Sequence, residues 1–415
     1  MDGIREASKQ LQIRKLGEVC THSKGKKPGV LKDSKTKDCT VPYINIKAFE
    51  KGIISEYTNG EKCNIANDDD LLMVWDGARC GLIGKAKKGA VGSTLMKILP
   101  KENINKEYLY HFISSKFWTL NTKPKGVGIP HIEPTLLWNF ELVVPSLPEQ
   151  LAIVSKIEEL FSDLDSGITQ LKTAQQQLNV YRQSLLSAGT SGMLSGTNET
   201  FVNAITIGEP KLKNNKWKVV KLIDIAKLES GHTPRKDTKS YWENGDIYWL
   251  SLQDIRALDG TIVMDTKYKT NRLGIENSSA RLLPEGTVCF CRDICLGYVT
   301  ILGKVMSTTQ HFANWICTNV LNNKYLMYCF MASRDSLIRQ GQGTTVKTIY
   351  MPDLKEMKIQ LPSIKEQQLI VSELDKKLTL CDKIEEIINQ SLQQAETLRQ
   401  SILKKAFDGE LVNII

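Results

Sequence analysis

The amino-acid sequence predicts an α+β fold with two mixed α/β globules, pseudo-twofold related, separated by two long helices that form an antiparallel coiled coil. Three observations carry this prediction. The chain repeats itself once, each copy ends in a long segment without proline, and the rest of each copy mixes strand-like runs with turns rich in Gly, Pro and Asp. A chain of 415 residues, 41% apolar and 24% charged, is also too long for one core, so more than one domain is expected.

The repeat is defined by a constant shift along the sequence, called here the repeat displacement, which carries Pro145 to Pro362. Positions 145–155 and 362–372 share seven identities in eleven positions, and the same displacement aligns positions 182–186 with 399–403 without a gap. One register held over so long a stretch is not expected by chance. The sequence therefore divides into four segments: globules at positions 1–145 and 201–362, and helical segments at positions 146–200 and 363–415.

Each helical segment has a marked start and a regular apolar pattern. A capping box opens each helix, Ser146 with Glu149 and Ser363 with Glu366, and no proline follows until residue 210 in the first copy or at all in the second. Apolar residues then recur at spacings of three and four. They are Ile157, Phe161, Leu164, Ile168, Leu171, Leu178 and Leu185 in the first copy, and Leu374, Leu378, Cys381, Ile388, Leu392, Ala395 and Ile402 in the second.

This spacing indicates a coiled-coil seam. The alternative is a helix packed on its own globule, but a periodic helix of about 40 residues, roughly 60 Å long, is longer than the core of such a globule. Each helix is therefore expected to pair with the other, and the globule that connects them permits antiparallel pairing. Gln175 and Glu385 interrupt the seams, so we expect them to set register at some cost in stability.

Strands and short helices are predicted inside the globules. Strand-like runs occupy residues 42–46, 71–75, 247–250, 288–291 and 298–301, and one helix apiece is predicted at residues 107–118 and 324–339. The closest group of cysteines, Cys289, Cys291 and Cys295, falls in and after one of these strands at apolar positions of period two, which favours core packing over a zinc site.

The net charge of +9 is unevenly distributed. Residues 1–150 carry +6 and residues 201–362 carry +7, whereas residues 151–200 and residues 363–415 carry −2 each. A phosphate-binding surface is therefore expected on the globules, and protein contacts on the helices. In the first globule the candidate DNA-binding residues are Lys24, Lys26, Lys27, Lys85, Lys87, Lys88, Lys123, Lys125 and His131. In the second they are His232, Arg235, Lys236, Lys239, Gln342, Thr344, Thr345 and Lys347. The alternative for any one cluster is a solvated charged loop.

Sequence signals for catalysis are missing. The chain has no P-loop, no Asn-Pro-Pro-Tyr type motif of an amino-methyltransferase, no nucleophile elbow, no C-x-x-C pair and no metal spacing among its five histidines. We therefore expect no catalytic centre, no metal and no cofactor in this chain. A polar start, reduced cysteines and the lack of an apolar run of about 18 residues predict a cytoplasmic protein that does not span a membrane.

The order of the motifs resembles that of a known family. Each helix opens with P-S-x-x-E-Q and closes with R-Q-S-[IL]-L, and the second globule adds Gly231-His232-Thr233-Pro234, then Tyr-Trp and Gly-Asp-Ile-Tyr-Trp-Leu. The chain nears its end with Ala-Phe-Asp-Gly-Glu-Leu at residues 406–411. This pattern resembles the specificity (S) subunit of type I restriction-modification systems. The first globule departs from it, with Gly-Lys-Lys-Pro at residues 25–28 and a different helix close at residues 188–194.

The resemblance implies a division of labour. Each globule would be a target recognition domain for one half of a bipartite site on double-stranded DNA, with Gly231, Thr233 and Pro234 in the signature of the second. The helices would set the gap and dock two methyltransferase subunits that bring S-adenosylmethionine, and a motor-nuclease subunit would use ATP and Mg²⁺. This chain would be non-catalytic by itself. The alternatives are a coiled-coil scaffold that does not read DNA and a self-contained DNA modification enzyme with divergent motifs.

Overall fold

The computed structural model describes residues 12–124, 129–192, 203–209 and 217–411. These residues form two compact units. The first unit contains the described residues up to Lys172 together with those from Asn389 onward, and the second contains Thr173 to Ile388. Each long helix is therefore divided between the units. Every helix among the described residues is too short or too polar to span a bilayer.

The chain up to the end of the first long helix contains ten strands and six helices among its described residues. The strands are β1 (Gln12–Lys15), β2 (Cys20–Lys24), β3 (Val41–Ile44), β4 (Tyr57–Thr58), β5 (Ile65–Ala66), β6 (Leu71–Val74), β7 (Ile83–Lys85), β8 (Gly89–Val91), β9 (Leu95–Pro100) and β10 (Glu141–Val144). The helices are α1 (Leu16–Val19), α2 (Ile46–Lys51), α3 (Lys106–Ser115), α4 (Phe117–Thr122), α5 (Pro134–Trp138) and α6 (Leu147–Ser191).

The rest of the described chain repeats this order with additions. The strands are β11 (Ile205–Ile207), β12 (Lys218–Lys221), β13 (Ala226–Ser230), β14 (Ile247–Leu250), β15 (Ile262–Val263), β16 (Tyr268–Thr270), β17 (Val288–Cys291), β18 (Val299–Leu302), β19 (Ser307–Thr308), β20 (Phe312–Cys317) and β21 (Met357–Leu361). The helices are α7 (Leu252–Leu258), α8 (Arg272–Glu276), α9 (Asn323–Ala332), α10 (Arg334–Gln340), α11 (Met351–Lys355) and α12 (Ile364–Phe407).

The first unit is built on two four-stranded sheets. One is antiparallel, in the order β2-β9-β6-β7, and the other has the order β4-β3-β8-β5 with β3 and β8 parallel. A third pairing joins β1 to β10. The core includes the end of α12, because the ring of Phe407 lies 5.2 Å from that of Tyr108 and 5.3 Å from that of Phe112. The closing segment of the chain is thus part of the hydrophobic core of the first unit.

The second unit contains a five-stranded sheet in the order β13-β20-β17-β18-β15, and two three-stranded sheets, β16-β14-β19 and β11-β21-β12. The predicted strand at residues 288–291 is confirmed as β17, which is buried along its length. Cys289, Cys291 and Cys295 lie in one hydrophobic cluster of this unit, and all ten cysteines are free. Burial raises the pKa of the Cys291 thiol to about 12, so that thiol stays protonated and packs as an apolar group.

The two globules differ by an insertion. β9 and its counterpart β20 begin at Leu95 and Phe312, which the repeat displacement aligns. β2 begins at Cys20 and its counterpart β13 at Ala226, which lies eleven positions before the place that the same displacement would give. The second globule is therefore longer between these strands, and this stretch contains β15 and α8 as additions, whereas β16 pairs with β14 as β4 pairs with β3.

Each predicted globule helix is two helices in the structure. The helix expected at residues 107–118 is broken at Lys116, where α3 ends and α4 begins. The helix expected at residues 324–339 is broken at Ser333, between α9 and α10. The break thus falls at the same place in both repeats.

The long helices pair antiparallel within each unit. In the second unit Arg182 on α6 donates to Asp382 at 2.6 Å and Glu385 at 2.8 Å on α12, and Gly189 faces Leu374. In the first unit Arg399 is ion-paired with Asp165. The polar residue expected to interrupt the second seam, Glu385, is thus an ion-pair partner of the opposite helix.

The predicted seam positions fall into two groups by burial. Ile157, Leu178, Leu185, Leu374, Cys381, Ile388, Ala395 and Ile402 are buried, and Phe161, Leu164, Ile168, Leu171, Leu378 and Leu392 are half-buried. In the first unit the seam is open enough to leave an apolar groove lined by Leu164, Ile168, Leu171, Leu398 and Ile402. Within each unit the contact between the two helices is therefore limited to one stripe of apolar residues, as expected for two helices with a single seam.

Candidate nucleic-acid interface

Both globules hold their glycine motif against backbone. A Cβ on Gly25 would lie 2.1 Å from the carbonyl oxygen of Gly92, and one on Gly231 would lie 2.0 Å from that of Thr309. Gly92 and Thr309 are themselves aligned by the repeat displacement, so the two motifs contact equivalent sites. Only glycine fits so close an approach. The Gly-Lys-Lys-Pro and Gly-His-Thr-Pro segments are therefore structural equivalents, although their side chains differ.

The side chains after each glycine follow one pattern. Pro28 and Pro234 are buried, whereas the neighbouring cations are exposed; these are Lys26, Lys27, Arg235, Lys236 and Lys239. Each motif thus packs its proline inward and leaves positive charge at the surface.

The two residues between Gly231 and Pro234 are held within the second globule. His232 is half-buried, and its backbone N–H donates to the carbonyl of Thr308 at 2.9 Å. Thr233 donates through its hydroxyl to the Oε1 of Gln310 at 2.6 Å. Both bonds tie the signature to the segment that precedes β20.

Two indoles fasten the second motif. The Trp242 Nε1–H donates to the carbonyl of Arg235 at 3.0 Å, and the Trp249 Nε1–H donates to the carbonyl of His232 at 3.2 Å. The two rings meet edge to face with centroids 5.0 Å apart. The Tyr-Trp and Ile-Tyr-Trp-Leu runs of the sequence therefore orient the backbone of the signature.

A cavity of about 930 Å³ opens beside this motif in the second globule. Three predicted residues line it: Thr233, Lys236 and Lys239. Three further lining residues, Trp242, Gly245 and Trp249, belong to the signature runs of the sequence. The remaining lining residues, which the sequence did not single out, are Glu243, Ser251, Leu252, Gln253, Lys267, Tyr268, Lys269, Thr309, Gln310 and His311. Cations, amides and aromatic rings on one concave surface are the side-chain types that contact phosphates and base edges.

The strand β16 and the residue before it supply part of the cavity lining. Lys267 lies 5.5 Å over the ring of Tyr268, and Lys269 lies 4.3 Å over the ring of Tyr248. The Lys-Tyr-Lys run at 267–269 could have signalled a basic strand edge, but nothing in the sequence places it beside residues 233–239. Strand pairing between β16 and β14 brings this run to the cavity.

An aspartate at equivalent positions holds a different partner in each globule. Asp293 accepts from the Nδ1 of His311 at 2.8 Å in the second globule, where His311 lines the cavity. Its counterpart under the repeat displacement is Asp76, which pairs with Lys24 at 2.9 Å and forms a β-bridge with His131. The structure thus brings Lys24 and His131 together in the first globule, whereas sequence reasoning gave neither aspartate a role.

The other predicted cations of the first globule are separate. Lys87, Lys88 and Lys123 are exposed, and Lys125 lies outside the described residues. Lys85 forms an ion pair with Glu107 at 3.0 Å, and this hydrogen bond is the main reason that the pKa of Lys85 is raised. The charge of Lys85 is therefore already compensated within the protein.

The predicted residues of the 342–347 loop do not line the cavity. Gln342, Thr344, Thr345 and Lys347 are exposed. The loop closes through two backbone hydrogen bonds between Gln342 and Thr348, and the Gln342 amide also donates to Asp353 at 3.0 Å. Within the described structure this loop is a second exposed surface of the same globule.

A buried glutamine joins each globule to its helix. The Nε2 of Gln150 donates to the carbonyls of Asn103 and Pro145, and its Oε1 accepts from the N–H of Asn105 at 2.7 Å. Gln367 makes the same three bonds, to Val320, Pro362 and Asn322. This is the Gln of the repeated P-S-x-x-E-Q motif. The sequence marked it as repeated but gave no sign that it fastens the globule.

Comparisons with known proteins identify the family to which the sequence is similar. The model of the type I restriction modification DNA specificity domain matches residues 8–176 and 214–394. The type I restriction enzyme MjaVIII specificity subunit of Methanocaldococcus jannaschii is 25% identical, over 99% of this chain and 95% of its own length. The type I restriction enzyme EcoBI specificity subunit of Escherichia coli is 25% identical, over 89% of this chain and 80% of its own length.

Solved structures share the fold. A chain from a study of complex assembly and conformational transition of the type I R-M system matches with a TM-score of 0.71 at 19% identity, covering 96% of this chain and 98% of that one. The HsdS subunit from Thermoanaerobacter tengcongensis matches with a TM-score of 0.55 at 19% identity, covering 96% and 97%. Since the family model covers most of the sequence in two copies, this chain belongs to the family of type I restriction modification DNA specificity domains.

Proposed function

We propose that this chain, as the DNA sequence-specificity subunit of a type I restriction-modification system, reads a split target with one globule on each half. The observation that carries the proposal is the repeated glycine motif, which lies against the same backbone site in both globules and leaves its cations exposed. A surface that is present twice in the chain fits a ligand with two similar parts, and a DNA target with two half-sites is such a ligand.

The cavity of the second globule supports base reading as well as phosphate binding. Lys236, Lys239 and Lys267 can neutralise phosphates, while Gln253 and Gln310 offer amides that can bond base edges. In the first globule the equivalent surface has two lysines, at positions 26 and 27, in place of the His-Thr pair of the second. We therefore expect the two half-sites to differ in sequence.

We also propose that catalysis comes from partners. The specificity subunit family is non-catalytic, and its members act with DNA and the other subunits of the type I system. Two methyltransferase subunits would dock on the paired helices and bring S-adenosylmethionine, and a motor-nuclease subunit would bring ATP and Mg²⁺. Residues 151–200 and 363–415 carry −2 each, whereas residues 1–150 and 201–362 carry +6 and +7, so the helical segments suit protein contacts better than DNA contacts.

Half-site reading is tested in the complex of the full chain with its methyltransferase subunits. In cells that carry the Gln310→Ala variant, sequencing of methylated adenines should show a relaxed preference in one half-site and an unchanged second half, because Gln310 lines one cavity only. Gln393→Ala, an exposed glutamine on α12, is the matched control. Relaxation of both halves together, or of neither, would contradict the proposal.

The spacing role has its own test. Matched insertions of four residues near Lys172 and near Asn389, where the helices are divided between the units, add about one turn, roughly 6 Å, to each helix. The gap between the methylated half-sites should then lengthen by one or two base pairs, at ~3.4 Å each. An unchanged gap in an active complex would falsify this role for the helices.

A further inference from the structure

Three potential metal ligands meet where α3 lies against α6 in the first unit. Glu107 and His111 are one turn apart on α3, and Glu158 is on α6. One ligand atom from each lies within 4.8 Å of the other two. His111 is only 4% exposed, and neither of its ring nitrogens has a hydrogen-bond partner among the described residues. A buried imidazole without a partner is costly, so its orientation toward two carboxylates requires an explanation.

At the equivalent positions of the second repeat, the side chains include a lysine that supplies the positive charge. The repeat displacement aligns the three ligands with Lys324, Tyr328 and Asp375. The Lys324 ammonium lies 2.7 Å from the Asp375 carboxylate, which also accepts from the Tyr328 hydroxyl. This triad ties α9 to α12 as a closed ion pair. The first repeat has a second carboxylate in place of the lysine and an imidazole in place of the phenol.

We propose that Glu107, His111 and Glu158 bind a divalent transition-metal ion of the Zn²⁺ type, which joins α3 to α6 as Lys324 joins α9 to α12. Imidazole nitrogen and carboxylate oxygen are both ligands of such an ion, and three protein ligands with a water in the fourth position is the coordination of an open zinc site. Ligands at about 2.1 Å from a tetrahedral ion lie roughly 3.4 Å apart. Because Glu158 is exposed, rotation of its side chain can close the present separation.

The surroundings of the site are compatible with a dication. The ammonium of Lys85 lies 3.0 Å from an oxygen of Glu107, and one such cation leaves one of the two carboxylate charges unbalanced. A carboxylate has two oxygens, so Glu107 can accept from Lys85 and still offer a metal ligand. The rings of Tyr110 and Phe161 lie 5.0 Å and 5.7 Å from the His111 ring and cover it.

The site is tested on the purified full chain after treatment with a chelator. Titration with Zn²⁺ should show one ion bound at this site per chain, and bound Zn²⁺ should slow hydrogen exchange in peptides of α3 and of the start of α6. Co²⁺ bound there should give a ligand-field spectrum without a thiolate charge-transfer band, which separates this site from binding at cysteine.

Two variants assign the ligands. Glu158→Gln changes an exposed side chain, and His111→Tyr installs the residue that the second repeat uses, so each should fold and each should weaken Zn²⁺ binding by about tenfold or more. Glu159→Gln, the neighbouring carboxylate outside the group, should bind as the wild type does. The proposal is overturned if the wild type binds no Zn²⁺, if either ligand variant loses less than about tenfold, or if the cobalt spectrum is that of a thiolate site.

Discussion

The two globules share a frame but differ in the surface that faces the proposed DNA. Both place a glycine against the same backbone site, and both fasten their helix through a buried glutamine. The strand β16 of the second globule is the counterpart of β4, but it and the residue before it carry Lys267, Tyr268 and Lys269, which line the cavity. Residues that hold the frame are thus kept between repeats while exposed side chains change. This is the pattern expected when two copies of a fold read different sequences.

The largest effect should come from the shared glutamines. Gln150→Leu leaves the N–H of Asn105 and two carbonyls without partners, at about 1–3 kcal/mol for each buried group, so we expect the first unit to lose about 3 kcal/mol in its free energy of unfolding. Gln367→Leu should cost the second unit the same. Urea titration with hydrogen exchange by mass spectrometry assigns the loss to a unit.

The control for this pair is Gln177→Leu, an exposed position on α6 that should change stability by less than about 0.5 kcal/mol. If one glutamine variant lost much more free energy of unfolding than the other, the two contacts would differ in energy although their geometry is the same.

The glycines should give the next largest effect. Alanine at Gly25 or Gly231 would put a Cβ about 2 Å from a backbone oxygen, so the motif must move, and we expect a loss of about 2 kcal/mol in the globule concerned. DNA binding by the complex should fall even at temperatures where the variant is folded. Gly29→Ala is the matched control because its added Cβ would meet no atom within 4 Å. If Gly25→Ala and Gly29→Ala changed stability and DNA binding equally, the Gly25 motif would not be equivalent to the Gly231 motif.

Removal of the ion pairs between the long helices should cost the two units different amounts of stability, and both losses should be smaller than those above. Arg182 bonds two carboxylates, Asp382 and Glu385, whereas Arg399 bonds Asp165 and lies 4.5 Å over the ring of Phe161. The partner aspartates are largely exposed, so their contributions are screened. We expect Arg182→Met to cost the second unit about 1.5 kcal/mol and Arg399→Met to cost the first unit about 1 kcal/mol.

Ionic strength and a double-mutant cycle check this difference. Raising the salt concentration should reduce the loss for Arg182→Met, and the cycle with Glu385→Gln should return a coupling of about 1 kcal/mol. If the cycle returns no coupling, Glu385 is only an interruption of the seam.

Features of this chain that depend on local spacing can be predicted from its sequence, whereas features that depend on long-range packing cannot. The long helices and the buried strand at residues 288–291 follow from periodicity, so they could be predicted. The two motifs share the spacing Gly-x-x-Pro, but the backbone that Gly25 packs on, at Gly92, is distant in sequence and lies just after β8. The sequence therefore does not show which backbone such a glycine contacts.

The site residues divide in the same way. A run of lysines signals positive charge, but only the fold shows that Lys85 is paired with Glu107 while Lys267 lines a cavity. Likewise, Glu107 and His111 have helical spacing, yet their meeting with Glu158 depends on how α3 packs against α6. Charge was therefore predictable, and its availability to a ligand was not.

The smallest expected effect concerns which lysines are available to bind phosphate. In the proposed complex with methyltransferase subunits, Lys267→Gln should lower the slope of log affinity against log salt by about 0.9, the value for one lost phosphate contact. Lys85→Gln removes the same formal charge, but Glu107 already neutralises it, so the slope should change by less than about 0.3. DNA binding measured across a salt series gives both slopes. An equal decrease for the two variants would mean that Lys85 leaves Glu107 for DNA, and that the two globules bind phosphate more alike than their free surfaces indicate.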